Sequence, residues 1–123
     1  MQVSYSAESV LDSTLPRDDL RVLLVYPNTR DVAMANLGFQ QVYSLLNKIE
    51  GVICDRFAMP VGWKPETQYL EREELRSMDL QMHPLEFDVI AFSISFEPDY
   101  LNTVLALKYF GIPVDRKERD SSF

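Results

Sequence analysis

Short apolar runs alternate along this chain with longer amphipathic stretches. The runs Arg21–Tyr26, Val52–Ala58 and Asp88–Ser95 have the length of strands. Near-continuous apolar runs of this length are typical of strands that a parallel sheet covers on both faces. Apolar residues at helical spacing predict helices over Asn36–Ile49 and Glu97–Phe110. Strands that alternate with helices predict parallel βαβ units.

This order of elements predicts an α/β protein with an incomplete flavodoxin-like (Rossmann-like) three-layer fold. We expect a mainly parallel sheet of order 2-1-3, in which the first main strand lies between the other two. A doubly wound domain normally continues with further strands, so the chain is expected to be the front portion of a larger domain. We divide it into a polar, mobile lead-in at 1–20, a truncated α/β domain at 21–114 and a polar tail at 115–123.

Residues with special backbone preferences mark the predicted helix ends. Asn36 is a suitable N-cap for the first helix, and Gly51 is placed to end it in a left-handed conformation. Pro98 suits the first turn of the last helix, and the sequence Gly111–Pro113 is expected to stop it.

The middle of the chain carries weaker signals. Met59–Pro65 is rich in turn residues, and Glu66–Glu74 predicts one or two helical turns. Leu75, Met78 and Leu80 fit either a short peripheral strand or a helix, because the run is short and its period is weak.

Composition excludes several classes of function. The chain has 123 residues, and 12 basic against 19 acidic side chains give a net charge of -7. Such a surface disfavours binding to nucleic acid or to an anionic membrane, and no apolar run approaches the length of a membrane span. No signal-peptide pattern opens the sequence, so a cytoplasmic location is expected. With Cys54 and His83 as the only residues of their types, neither an internal disulfide nor a two-histidine metal site can form.

The carboxyl ends of the strands are the expected place for a ligand, because open α/β sheets bind there. Two loops, Pro27–Gly38 and Ser93–Tyr100, would face each other across one crevice if the first and third strands are neighbours. Their candidate binding residues are Asn28, Thr29, Arg30, Asp31, Ser93, Ser95 and Glu97. Turn and cap chemistry explains the same residues without a ligand, and favourable contact with the helix dipole explains the acidic pair Glu97 and Asp99. The loops contain no phosphate-binding glycine motif and no catalytic triad, so no catalytic residue is assigned.

Both loops also carry a family resemblance. The segment RVLLVYPNTRDVAMANLGFQQVYSLLN is followed at a distance by FDVIAFSISFEPDYLNTVLALKYFGIP. Together they resemble the N-terminal, cobalamin-binding-like α/β region of radical S-adenosylmethionine proteins, over about Arg21 to Asp120. In the first segment the matching residues are Pro27, Asn28, Asp31, Met34, Asn36, Leu37 and Gly38. Beyond the second segment, Arg116, Glu118, Arg119 and Asp120 continue the likeness.

The resemblance implies an accessory domain that covers the active site of a radical S-adenosylmethionine catalytic domain and holds cobalamin or substrate. The iron–sulfur cluster and S-adenosylmethionine belong to a downstream domain with a CxxxCxxC motif, which this sequence lacks, so no catalysis is expected of this chain alone. Cobalamin is a candidate by resemblance. Tight binding is not expected, because the stretch Asn28–Ala33 has no cobalt-ligating histidine.

The alternative is a non-catalytic packing or interaction module without a cofactor. A polar crevice of corrin size between the loops would favour the first interpretation, and a crevice filled by Tyr26, Met34, Phe96 and Tyr100 would favour the second. In either case the open side of the third strand and the last helix predict a homo-oligomer when the chain is isolated.

Overall fold

Three parallel strands form the centre of the molecule. The computed structural model describes residues 19–67, 69–115 and 117. Strand β1 (Leu20–Thr29) lies between β2 (Val52–Met59) and β3 (Val89–Phe92), and both pairings are parallel. The predicted α/β fold and its strand order 2-1-3 are thereby confirmed.

Helices cover both faces of this sheet. Helices α1 (Arg30–Ala35) and α2 (Leu37–Asn47) belong to one face, and α3 (Pro98–Phe110) covers the other. Single 3-10 turns, Arg72–Glu74 and Pro84–Glu86, lie in the connection between β2 and β3. The result is the predicted three-layer arrangement.

Alternate side chains of β1 enter two separate cores. Tyr26 packs edge-on against Phe39 of α2 with ring centroids 5.3 Å apart. On the opposite face, Phe57 meets Phe110 of α3 edge-on at 5.0 Å, in the same core as Val25. Because successive side chains of a strand point to opposite faces, a strand covered on both sides has to be apolar at nearly every position. This explains the continuous apolar run in β1.

The predicted helix caps are confirmed, with one shift. Asn36 Oδ1 accepts a hydrogen bond from the backbone N–H of Phe39 at 2.8 Å, which caps α2. Pro98 is in the first turn of α3, and Gly111 ends this helix with φ of 83°. Gly51 also has a positive φ, but α2 already ends at Asn47 and the glycine belongs to the turn before β2.

Several boundaries differ from the sequence-based expectation. The first predicted loop, Pro27–Gly38, contains the end of β1 and the short helix α1, since it holds helix-forming residues and buries Ala33. Glu66–Glu74 contains one 3-10 turn, and the segment around Leu75–Leu80 is neither helix nor regular strand. Strand β3 has four residues instead of eight and is only partly buried. It lies at the edge of the described sheet, where fewer neighbouring elements bury the side chains of a strand.

The two outer edges of the sheet differ. At β2, the Asn47 side chain binds both the N–H and the C=O of Cys54, at 2.8 and 3.0 Å, and Met78 N–H donates to Arg56 O at 2.8 Å. At β3, Asp88 N–H donates to Arg21 O of β1. Because alternate residues of a strand direct their N–H and C=O groups to the same neighbour, those of Val89 and Ala91 point away from β1. Within the described residues, no strand pairs with that side of β3.

The division into lead-in, domain and tail stays a prediction. Residues 1–18 and 118–123, together with 68 and 116, lie outside the described residues.

Candidate functional site

The loops that follow β1 and β3 meet at the carboxyl edge of the sheet, as predicted for neighbouring strands. Asn36 Nδ2 donates to Ser95 Oγ at 3.1 Å. Asn28 Nδ2 lies 3.4 Å from Asp99 Oδ1, and Asn102 Nδ2 donates to Pro27 O at 2.9 Å. These contacts join the end of β1 to the first turn of α3. We call the group the carboxyl-edge cluster, and its members are Asn28, Asn36, Ser95, Asp99 and Asn102.

Two of the seven residues predicted for binding, Asn28 and Ser95, belong to this cluster. Asn28 Oδ1 also accepts from the backbone N–H of Thr29 at 2.8 Å, so this amide shapes the turn as well. The hydroxyl of Ser95 is the acceptor that ties the second loop to Asn36. These two residues are therefore held in place by bonds between the loops.

The structure places the other five predicted residues outside the cluster. Thr29 is buried, and its hydrogen bond to Asp31 lowers the pKa of that exposed carboxyl. Arg30 and Glu97 are exposed at the starts of their helices. Ser93 continues the β1–β3 ladder, since its N–H donates to Val25 O at 2.9 Å.

Asp99 is the member of the cluster for which sequence reasoning gave another role. Its predicted role was favourable contact with the dipole of α3, and its side chain proves to be only 1% exposed. Oδ1 has the long contact to Asn28, and no residue in the described part of the chain forms a hydrogen bond with the buried Oδ2. Asn102, which sequence reasoning missed, follows one turn later and is buried too. The sequence signal for both residues was their spacing. Asp99 and Asn102 are at positions i and i+3, which places two polar side chains on one face of a mostly apolar helix.

A second buried carboxylate, Asp55 in the middle of β2, was also missed. Its oxygens accept from the backbone N–H groups of Arg56, Asp79 and Leu80, at 2.7 to 3.2 Å. Burial raises the pKa of this carboxyl, while hydrogen bonds from Ser77 and those N–H groups oppose the rise. The side chain thus fastens the segment before β3 to β2. Its position inside an apolar strand was the available signal.

Several exposed apolar side chains belong to the same two loops and helix starts as the carboxyl-edge cluster. They adjoin its bonded residues in sequence, since Leu37 follows Asn36 and Phe96 follows Ser95. We call them the apolar collar, which comprises Met34, Leu37, Phe96, Tyr100 and Leu101. Leu37, Phe96 and Tyr100 are each exposed by 60% or more. Tyr26, by contrast, is buried beneath the loops, and Asn36 Nδ2 lies 3.5 Å from its hydroxyl. Of the residues expected to fill the crevice, Tyr26 is therefore buried and in contact with Asn36, whereas Met34, Phe96 and Tyr100 are exposed.

The single histidine and the single cysteine lie elsewhere. His83 caps the 3-10 turn before β3, at the amino end of the sheet, and accepts from Leu85 N–H. Burial lowers the pKa of this imidazole. Burial also raises the pKa of the Cys54 thiol to about 12, which leaves it protonated near neutrality. The described residues contain no group of three side chains suited to hold a metal ion.

A groove of about 330 Å³ lies away from the cluster, between α3 and the residues Pro65, Thr67 and Leu70. Its walls include Tyr69, Leu105 and Lys108. No helix in the part of the chain that the structure describes is long and apolar enough to cross a membrane.

Comparison with known proteins gives one finding. The family model described as "Radical SAM proteins, N-terminal" matches residues 38–123, which include β2, β3, α3 and all of α2 except Leu37. No curated protein matches the chain, and no solved structure matches it. The match includes the Ser95–Asn102 side of the carboxyl-edge cluster and begins just after Asn36.

Proposed function

Because the chain belongs to the family of N-terminal regions of radical SAM proteins, we propose that it is an accessory domain that packs on a radical SAM catalytic domain. The carboxyl edge of the sheet is the contact surface. In this role the chain covers the active site of its partner and performs no catalysis itself.

The apolar collar is the observation that carries this proposal. Leu37, Phe96 and Tyr100 are large, exposed and grouped at one edge of the sheet by the Asn36–Ser95 hydrogen bond. Exposed apolar groups rimmed by polar residues are typical of interaction surfaces. Aromatic residues are also enriched in the centres of such interfaces. The collar thus has the composition of a contact surface between domains.

The fit to cobalamin is limited by the ligands that this edge offers. Its side chains are amides, a hydroxyl and a carboxylate, and His83 lies at the opposite end of the sheet. These residues do not fit a cobalamin held through a protein nitrogen. Cobalamin or a substrate bound without such a ligand remains the implication of the family resemblance.

A packing module without a cofactor is the second candidate, and one observation favours it. The Asn36–Ser95 and Asn28–Asp99 contacts join the two loops directly, across the crevice in which a corrin would have to lie. A ligand there has to break at least one of these contacts. The domain then acts through its surface alone.

Binding to the catalytic domain tests the packing proposal. The domain is purified separately with its iron–sulfur cluster, and its affinity for the chain is measured by calorimetry. We expect Leu37→Glu and Phe96→Glu to weaken binding at least tenfold, because each places a charge in the contact. Leu45→Glu is the matched control, since Leu45 is equally apolar and exposed but lies in the last half of α2. Equal binding by all variants would contradict the proposal.

A spectroscopic titration distinguishes an accessory domain that holds cobalamin from a packing module without a cofactor. We expect the purified chain to be colourless and to bind hydroxocobalamin weakly. A stable coloured complex whose spectrum shows cobalt bound to a protein nitrogen would overturn our interpretation of this edge.

A further inference from the structure

The Oδ2 atom of Asp99 is a buried carboxylate oxygen that has no hydrogen-bond partner among the described residues. Leaving a buried polar group unpaired is costly, and more so for a charged group. Native proteins pair most buried polar atoms, so an exception calls for a specific explanation. The other oxygen, Oδ1, has the long contact of 3.4 Å to Asn28 Nδ2.

This chain satisfies a buried carboxylate fully where the role is structural. Asp55 is as deeply buried as Asp99, and three backbone N–H groups donate to it. The contrast indicates that the missing partner of Asp99 comes from outside the described residues.

The neighbours of Asp99 indicate the chemistry of that partner. Two exposed aromatic side chains, Phe96 and Tyr100, flank Asp99 in sequence, and the exposed Glu97 lies between them. A carboxylate next to aromatic rings is suited to a guanidinium group, which donates hydrogen bonds in its plane and stacks on rings with its faces. The net charge of -7 also favours a basic partner.

We propose that Asp99 Oδ2 accepts a hydrogen bond from an arginine side chain of the docked catalytic domain, held between Phe96 and Tyr100. The oxygen is covered in the free chain, so the arginine has to displace a neighbour. The Asn28–Asp99 contact is the weakest hydrogen bond of the cluster and is the one that opens. This inference rests on the packing proposed above, and it adds the residue and the charge that fix the partner's orientation.

The chemistry is tested first on the chain alone, by two-dimensional NMR of its backbone amides. The probe is N-acetyl-arginine methylamide, and the comparison compound is N-acetyl-citrulline methylamide, which has nearly the same shape without the charge. We expect saturable shifts of the Asp99 and Tyr100 amides with the arginine probe, at an affinity at least tenfold above that for citrulline.

Two variants assign the effect to one carboxylate. Asp99→Asn should abolish the difference between the two probes. Glu50→Gln, which removes the same charge from an exposed turn at the amino end of the sheet, should leave it unchanged. Equal shifts with both probes, or none that saturate, would overturn the inference and leave a resident water as the partner of Oδ2.

The same variants in the catalytic-domain titration keep the two proposals apart. If Asp99→Asn weakens that binding at least tenfold, the arginine contact is supported. If Phe96→Glu abolishes binding while Asp99→Asn does not change it, the packing stands and the arginine contact is wrong. If none of the collar variants affects binding, the packing proposal itself fails.

Discussion

Two buried aspartates of this small domain differ in their hydrogen-bond partners. Asp55, in the middle of β2, receives hydrogen bonds from three backbone N–H groups. Asp99, in the first turn of α3, has one long contact, and its second oxygen has no partner within residues 19–67, 69–115 and 117. Both side chains are almost completely buried. Burial therefore does not distinguish them, whereas their partners do.

This difference in partners indicates which carboxylate supports the fold. A fully paired buried carboxylate stabilises the elements that it joins, because its removal leaves several donors unsatisfied. An unpaired one destabilises the free chain, and such local strain is typical of sites that bind something else. We therefore assign Asp55 to stability and Asp99 to binding.

The largest effect is expected at the paired carboxylate. Asp55→Asn should lower the free energy of unfolding by about 3 kcal/mol, because the new amide NH₂ faces the N–H groups of Asp79 and Leu80. Urea denaturation followed by circular dichroism measures the loss. Asp79→Asn is the control, since the ion pair of Asp79 with Arg56 is partly exposed and its loss should cost about 1 kcal/mol or less. If Asp55→Asn loses no more unfolding free energy than Asp79→Asn, the assignment of Asp55 to stability is wrong.

A smaller loss is expected at the cap that joins the two loops. Asn36→Ala removes the cap of α2 and the bond to Ser95, which should cost about 1 kcal/mol. Ser95→Ala removes only the second bond and should cost less, which separates the two contributions. If Asn36→Ala leaves the melting temperature unchanged but abolishes binding to the catalytic domain, Asn36 is a binding residue and the capping interpretation is wrong.

Self-association of the isolated chain extends the comparison to the edges of the sheet. Asn47 and Met78 close the outer side of β2, whereas no strand of the described residues pairs with the outward backbone groups of Val89 and Ala91. We expect a homodimer or a larger oligomer, because an open edge strand pairs with other chains. Sedimentation across a concentration series measures this, and Val89→Lys should reduce it. A strictly monomeric chain at its highest soluble concentration would contradict the expectation.

The sequence predicted those elements that depend on local patterns. The two-sided burial of β1 requires a continuous apolar run, and Asn36, Pro98 and Gly111 occupy positions that only a few residue types favour. The short helix α1 was missed because its six residues carry too little periodicity to distinguish it from a loop.

The sequence predicted where the candidate site lies better than it predicted which residues form it. The strand order placed the two loops together, and the bonds between them agree with that placement. Which polar side chains turn inward depends on tertiary packing, so Thr29 and Asp99 are buried while Arg30, Asp31 and Glu97 are exposed. The pairing of Asp55 with a segment more than 20 residues later leaves no local pattern at all.

The most direct test of this account is the stability of Asp99→Asn beside that of Asp55→Asn, measured in the same urea series. Removing the charge of Asp99 gives up a favourable contact with the helix dipole of about 0.5 kcal/mol but relieves an unpaired buried charge. We therefore predict that Asp99→Asn is as stable as the parent chain or more stable, while Asp55→Asn is strongly destabilised. A loss at Asp99 as large as the loss at Asp55 would show that both carboxylates support the fold, and it would contradict the assignment of Asp99 to binding.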